Sequence, residues 1–148
     1  MSLLGIDVGT TGCKAVVFDA VGRPLATARR EYALANPQDG FWELDPEQVW
    51  QQVLSAIRET AAIAGADVTA LAISALGEAV LPVDRDGLPL AGGAISADLR
   101  ATAEIDALRD NLGAAAIHAI TGQPATAYYS LPKMMWWRRN APDLYAHT

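Results

Sequence analysis

Gly5-Ile6-Asp7-Val8-Gly9-Thr10-Thr11-Gly12-Cys13-Lys14-Ala15-Val16-Val17-Phe18-Asp19 is the stretch on which the fold turns. Apolar runs at 3–8 and 14–18 bracket Gly9-Thr10-Thr11-Gly12, and glycines between such runs predict a β-hairpin. Residues 20–24 read as a second turn, and 25–34 as a third strand carrying Arg29, Arg30 and Glu31. Three consecutive antiparallel strands make a meander, not a βαβ unit.

The hairpin also carries chemistry. Gly9 and Gly12 let the backbone approach an anion closely and aim N–H groups at it. Thr10 and Thr11 add hydroxyl donors, Asp7 can hold Mg²⁺ directly or through water, and Lys14 puts a positive charge on the next strand. A P-loop is excluded, since it needs a Gly-Lys-Ser/Thr ending and a following helix; the G-x-G-x-x-G dinucleotide fingerprint is missing as well. Glycine and two threonines alone would equally suit an ordinary β-turn. Asp7, Lys14 and the surrounding meander weigh against that.

Further along, Asp45-Pro46-Glu47 has the chemistry of a helix start: Asp as N-cap, Pro at the first helical position, acid in the first turn. Val49, Trp50, Val53, Leu54, Ile57 and Ala61 recur at helical spacing, so this helix is predicted to run to about Ala64 and end at Gly65. Residues 68–74 are almost all apolar, as a buried central strand would be. Residues 79–83 and 88–90 flank Asp84-Arg85-Asp86-Gly87 as a hairpin, and 94–97 suggest another short strand. A helix is predicted over 98–112 with Asp98 as a candidate N-cap, then helices at 115–120, from Ser130 to Asn140, and from Pro142. Trp42 and Trp50 read as core or pocket wall. Trp136 and Trp137, adjacent on a helix, are not expected to share a face.

A chain of 148 residues with 51% hydrophobic residues fits one domain around one core. The net charge of −6 argues against a basic nucleic-acid footprint and against a polybasic membrane anchor. A single cysteine, Cys13, excludes an internal disulfide framework and a Cys-rich zinc site, and reads as a buried inert thiol. No apolar run is long enough to span a bilayer, and no signal peptide is apparent. His118 and His147 have no spacing that suggests a ligand set or a triad. The expectation is a soluble cytoplasmic protein with no nucleic-acid or membrane partner.

Gly5-Ile6-Asp7-x-Gly9-Thr10-Thr11-x-x-Lys14 resembles the first phosphate motif of the FGGY carbohydrate kinases, within the actin, Hsp70 and hexokinase superfamily of ribonuclease H-like folds. That motif is shared across the superfamily, and three later segments narrow it. Gly40-Phe41-Trp42-Glu43-Leu44-Asp45-Pro46-Glu47-Gln48-Val49-Trp50 resembles the family's G-W-x-E-x-D-P-E-x-x-W. Ala94 to Arg100 resembles A-I-x-W-x-D-x-R, and Tyr128 to Lys133 with Trp136 resembles Y/F-x-x-x-K-L-x-W. Among members, the xylulose- and gluconate-type kinases are the nearest in pattern.

The resemblance implies an α/β ribonuclease H-like lobe whose mixed sheet opens with the antiparallel meander and is flanked by helices. It implies an ATP-dependent carbohydrate kinase acting on a sugar, polyol or sugar acid, with ATP and Mg²⁺ as cofactors; a homodimer is compatible with it. Asp7, Gly9, Thr10, Thr11 and Lys14 would face the ATP phosphates and Mg²⁺, with Asp7 the metal-side residue. Glu78, Asp98, Arg100 and Tyr128 would bind substrate. Solvated or packing roles stand beside these: Glu78 as a solvated acid, Arg100 as a surface charge, Tyr128 as packing. No residue of the chain is assigned as catalytic base. The family's aspartate base and its second, nucleotide-binding lobe are expected beyond Thr148, so 1–148 would be a truncated opening portion of the first lobe, inactive alone. Two departures loosen the substrate assignment: the tryptophan expected before Asp98 is replaced, and the usual Gln-Met-His or Gln-Arg-Glu segment reads Leu76-Gly77-Glu78. A non-catalytic actin-like nucleotide-binding module, or a partner-binding domain with an incidental Gly-Thr turn, are the alternatives.

Overall fold

Burial alternates along β1 (Ser2–Val8), with Ser2, Leu4 and Ile6 buried and Leu3 and Asp7 exposed, as a strand with one covered face requires. The same holds in β2 (Gly12–Asp19), where Cys13, Ala15 and Val17 are buried, and in β3 (Pro24–Glu31), where Ala26 and Ala28 are. This computed structural model describes residues 1–148. The three strands form the expected antiparallel meander, with Asp7 opposite Lys14 and Lys14 opposite Arg29. The third strand stops at Glu31, however. Leu34 belongs to a separate short strand, β4 (Leu34–Ala35), beyond the Tyr32 N–H, which makes the last backbone bond to β2's end of the hairpin, at the Thr11 carbonyl, at 3.2 Å.

After β5 (Glu43–Leu44), α1 (Pro46–Ala64) starts and ends where the sequence places it. Asp45 accepts from the N–H groups of Glu47 and Gln48, an N-cap worth about 1 kcal/mol, and Gly65 closes the helix at φ 56°. Val53, Ala56 and Thr60 face the sheet; Thr60 Oγ1 donates to the Ala15 carbonyl at 3.2 Å. Arg30 reaches the same helix through Ser55, at 3.1 Å, and an ion pair with Glu59. Trp50 lies off that face and is 56% exposed, and Trp42 is 37% exposed, so of the two readings, core or pocket wall, the core one fails for both. The buried stripe of α1 runs through positions 53, 56 and 60, which leaves position 50 on the helix flank.

Strand β6 (Val68–Ala75) pairs parallel with β1, giving the order β3-β2-β1-β6 and a mixed sheet. Within residues 1–148 β6 is the edge strand and all eight of its residues are exposed, so these residues alone do not supply the burial expected of it. An unbroken apolar run is compatible with burial on both faces but does not produce it; β1 has a partner on each side, while β6 has one.

The length suggested one core, but the chain divides into two compact units, Met1–Leu34 with Asp45–Leu76, and Ala35–Leu44 with Gly77–Thr148. The second contains β5, β7 (Gly93–Ala94), α2 (Thr102–Leu112), α3 (Ala114–Thr121), α4 (Ser130–Asn140) and α5 (Pro142–Ala146). Its core gathers Ala94, Ile95, Ala101, Ile105, Ala127 and Trp137. β7 pairs antiparallel with β5, shorter than the strand expected over 94–97. The hairpin expected around residues 84–87 forms as a short one: Val83 bridges to Pro89, the Asp84 N–H donates to the Leu88 carbonyl and the Leu90 N–H to the Pro82 carbonyl, each at 2.9 Å, and Asp84 takes the turn's N–H groups through its own carboxylate. Helix α2 begins at Thr102 with Ala101 as its N-cap, so Asp98 does not cap it.

Candidate functional site

In the first unit the β1–β2 turn is a tight bracket. The Gly9 N–H donates to the Gly12 carbonyl at 2.9 Å. A side chain at Gly12 would put its Cβ 2.5 Å from the Arg30 carbonyl oxygen, so only glycine lets β2 and β3 approach there. Tyr32, buried at the end of β3, donates its hydroxyl to the Gly9 carbonyl at 2.7 Å and fastens the turn. Burial pushes the Tyr32 phenol up to about 12, with the charges of Cys13 and Asp7 acting in the same direction. Its role has no composition or spacing signal, because the contact crosses 23 residues.

Asp7, Thr11, Gly12 and Lys14 line an open cavity of about 990 Å³ beside this turn, together with Arg29, Glu31, Tyr32 and Gln48. Asp7 and Lys14 are cross-strand neighbours, and neither side chain forms an ion pair. Thr10 and Thr11 sit at the turn's tip, where no hydrogen bond uses their hydroxyls. Cys13 is buried on the α1 side, and burial raises its thiol pKa against the pull of Arg30. A phosphate-binding turn needs free donors and charges turned to one space, and Asp7, Thr11 and Lys14 meet that condition. No group of three or more His, Cys, Asp or Glu side chains is arranged to hold a metal ion.

In the second unit, Asp98 and Arg100 are buried, 0% and 7% exposed, and are brought together. Asp98 accepts from Arg100 Nε and Nη2, each at 2.8 Å, from the Arg100 N–H at 3.0 Å and from the Trp42 N–H at 2.7 Å. Arg100 Nη2 also donates to Glu43 at 2.6 Å. Burial alone would lower the guanidinium pKa; the bonds to Asp98 and Glu43 overcome it and hold Arg100 above its ordinary value. Phe41, Trp136 and Trp137 surround the cation, their ring centroids 4.4, 5.0 and 5.2 Å from its carbon. The two adjacent tryptophans therefore converge on one charge instead of dividing between faces. Arg100 is no surface charge. Glu43 was not singled out, although it stands inside the motif that begins at Gly40.

Glu78 is the one non-glycine residue with a left-handed backbone, φ 60°. Its carboxylate accepts from the Ser130 N–H at 2.8 Å and the Ser130 hydroxyl at 2.9 Å, at the start of α4. It also borders an apolar cavity of about 350 Å³ with Ile105, Ile117, Ile120 and Leu131. Lys133, fully buried, donates to the carbonyls of Ala127 and Tyr129, at 3.0 and 3.3 Å, and to that of Tyr128. Burial lowers its pKa, opposed by the charges of Asp98 and Glu78. Lys133 so holds the turn that presents Tyr128, whose ring is half-exposed and stacks edge-on against Tyr129 at 5.2 Å. Of the four substrate-side candidates, Glu78 and Tyr128 keep surface, whereas Asp98 and Arg100 are spent on each other.

A family model described as "FGGY family of carbohydrate kinases, N-terminal domain" matches residues 2–148. A glycerol kinase of Ectopseudomonas mendocina (strain ymp) is 36% identical over 146 residues, 95% of this chain and 29% of its own. A glycerol kinase of Acidovorax ebreus (strain TPSY) is 38% identical over 145 residues, again 95% and 29%. The chain therefore spans 29% of the length of these curated relatives. Among solved structures, the xylulose kinase of Rhodospirillum rubrum superposes with a TM-score of 0.94 at 26% identity, covering 99% of this chain and 31% of that one. The gluconate kinase of Lactobacillus acidophilus, at 22% identity and a TM-score of 0.93, covers 99% and 30% and shares the fold. No helix is long and apolar enough to cross a membrane.

Proposed function

The chain belongs to the FGGY family of carbohydrate kinases, and on that premise we propose that it serves an enzyme transferring the γ-phosphoryl group of ATP to a hydroxyl of a sugar, polyol or sugar acid. The observation that carries this reading is the hairpin: Asp7, Thr11 and Lys14 line one cavity, with neither charge taken up by an ion pair. Phosphoryl transfer rests on positioning and charge neutralisation, which such a set of donors supplies. Thr10 and Thr11 would donate to phosphate oxygens, Gly9 would let the backbone approach them while its own N–H closes the turn, Lys14 would neutralise them, and Asp7 would hold Mg²⁺ directly or through water. The metal's contribution is to offset the charge on the phosphates.

Glu78 and Tyr128 would meet the carbohydrate, Glu78 as a hydroxyl acceptor. Asp98 and Arg100 would act behind them as positioning residues, since their polar atoms already serve Trp42 and Glu43. Neither Glu78 nor Asp98 is offered as the base that takes the hydroxyl proton, because both carboxylates already accept protein hydrogen bonds. In this reading residues 1–148 form the opening portion of a first lobe, with the base and the second lobe outside them. A small-molecule carbohydrate as partner and a cytoplasmic site of action complete the proposal, on the acidic charge and lone cysteine. The test is ADP release from MgATP with a panel of sugars, polyols and sugar acids. ADP release that depends on one acceptor supports the reading. MgATP binding with no acceptor-dependent turnover, in a polypeptide holding both lobes, would favour a non-catalytic nucleotide-binding module instead.

A further inference from the structure

Asp7, Lys14 and Arg29 lie in one row across β1, β2 and β3, Asp7 opposite Lys14 and Lys14 opposite Arg29. Strand alternation puts all three on the sheet face away from α1, and all three line the open cavity beside the hairpin. Like charges directly opposite each other on adjacent strands are destabilising. Asp7 partly offsets Lys14, but Arg29 forms no ion pair, and Glu31, on the same cavity, is beyond ion-pair distance of either cation. Its neighbour Arg30 points to the opposite face, to Ser55 and Glu59. Both consecutive arginines border the cavity, but Arg30 is held by Ser55 and Glu59 of the helix, whereas Arg29 has no ion-pair partner.

We propose that Arg29 is a second cation for the phosphate chain of the nucleotide, acting with Lys14. Adjacent strands run about 4.8 Å apart, so two long cationic side chains can converge on one phosphate group. The repulsion between them is relieved when phosphate oxygens lie between. This rests on the hairpin being a nucleotide-phosphate site and extends that site from the turn onto the third strand.

The experiment uses a polypeptide holding both lobes and compares its unaltered form with Arg29→Gln and Arg29→Lys, by thermal melting and by titration with MgATP, magnesium tripolyphosphate and adenosine. Without ligand, Arg29→Gln should melt at a higher temperature, because the like-charge opposition is gone. It should nonetheless bind MgATP and magnesium tripolyphosphate about fivefold more weakly, with adenosine unchanged. Arg29→Lys should recover most of that affinity. These opposite signs are ones a merely structural arginine would not produce. Equal tripolyphosphate affinity in Arg29→Gln, or a lower melting temperature without ligand, overturns the role of Arg29. Failure of the unaltered protein to bind either phosphate ligand overturns the reading of the hairpin itself, and the two failures are told apart by that control.

Discussion

Asp98 and Arg100 form a two-pronged ion pair, Nε to Oδ1 and Nη2 to Oδ2, each at 2.8 Å, with both side chains almost wholly withdrawn from solvent. Such a pair is geometrically demanding, and its worth shows when it is broken one side at a time. Arg100→Met leaves the Asp98 carboxylate buried without its partner and should cost about 3–5 kcal/mol in urea unfolding. Asp98→Leu combined with Arg100→Met should cost less than the sum of the single changes, because neither member of the pair is left as an orphan charge and the loss at Glu43 is counted only once. Additive losses would show that the two residues stabilise the unit independently.

The Tyr32 latch gives a pH signature. Its phenol titrates at an ordinary 10.0 when unfolded and at about 12 when folded. The stabilising contribution is therefore whole below pH 10 and is lost as pH rises towards 12. Tyr32→Phe should lose about 1 kcal/mol at neutral pH, from the missing bond to the Gly9 carbonyl, and should show a flatter decline across that alkaline window. Chemical denaturation at a series of pH values measures both.

At Gly12 the obstacle is backbone, not a side chain that can swing away: the Arg30 carbonyl oxygen stands 2.5 Å from an added Cβ. Gly12→Ala should part β2 from β3 at the hairpin end and cost about 1–3 kcal/mol. MgATP binding should fall with it. Gly22→Ala, with nothing within 4 Å of the added Cβ but φ at 83°, is the comparison in which strain acts alone and far from the cavity.

Glu78 sets two effects against each other. A left-handed backbone costs a non-glycine residue about 1 kcal/mol, while its carboxylate serves both the Ser130 N–H and hydroxyl. Glu78→Gly relieves the strain and loses the bonds, whereas Glu78→Ala loses the bonds and keeps the strain. The alanine variant should be the less stable by about 1 kcal/mol in thermal or chemical unfolding. If Glu78 also meets the carbohydrate, Glu78→Gln should raise KM for the acceptor with KM for MgATP unchanged.

Where local chemistry decides, reading residues is enough. Asp45, Pro46 and Gly65 set both ends of α1, and the glycines at 9 and 12 place the hairpin. Where long-range pairing decides, it is not. An all-apolar run such as β6 does not say which residues cover it or whether they lie within residues 1–148. Asp98 looked like a helix cap because the Trp42 N–H it accepts lies 56 residues away. The aromatic cage of Arg100 likewise draws on Phe41, which no helical periodicity connects to Trp136. The candidate residues were found largely by type and motif, but which of them are still free to bind was decided by packing.

Strand β6 carries one further consequence. From Val68 to Ala75 it has no charge, no proline and no lysine to discourage backbone pairing, and one side of its ladder is unmatched. Such an edge accepts an extended segment of almost any sequence. For residues 1–148 on their own, solubility then becomes a question of time and dilution: assembly would follow a lag that shortens as concentration rises, and a single lysine at Leu71, 61% exposed, should lengthen it.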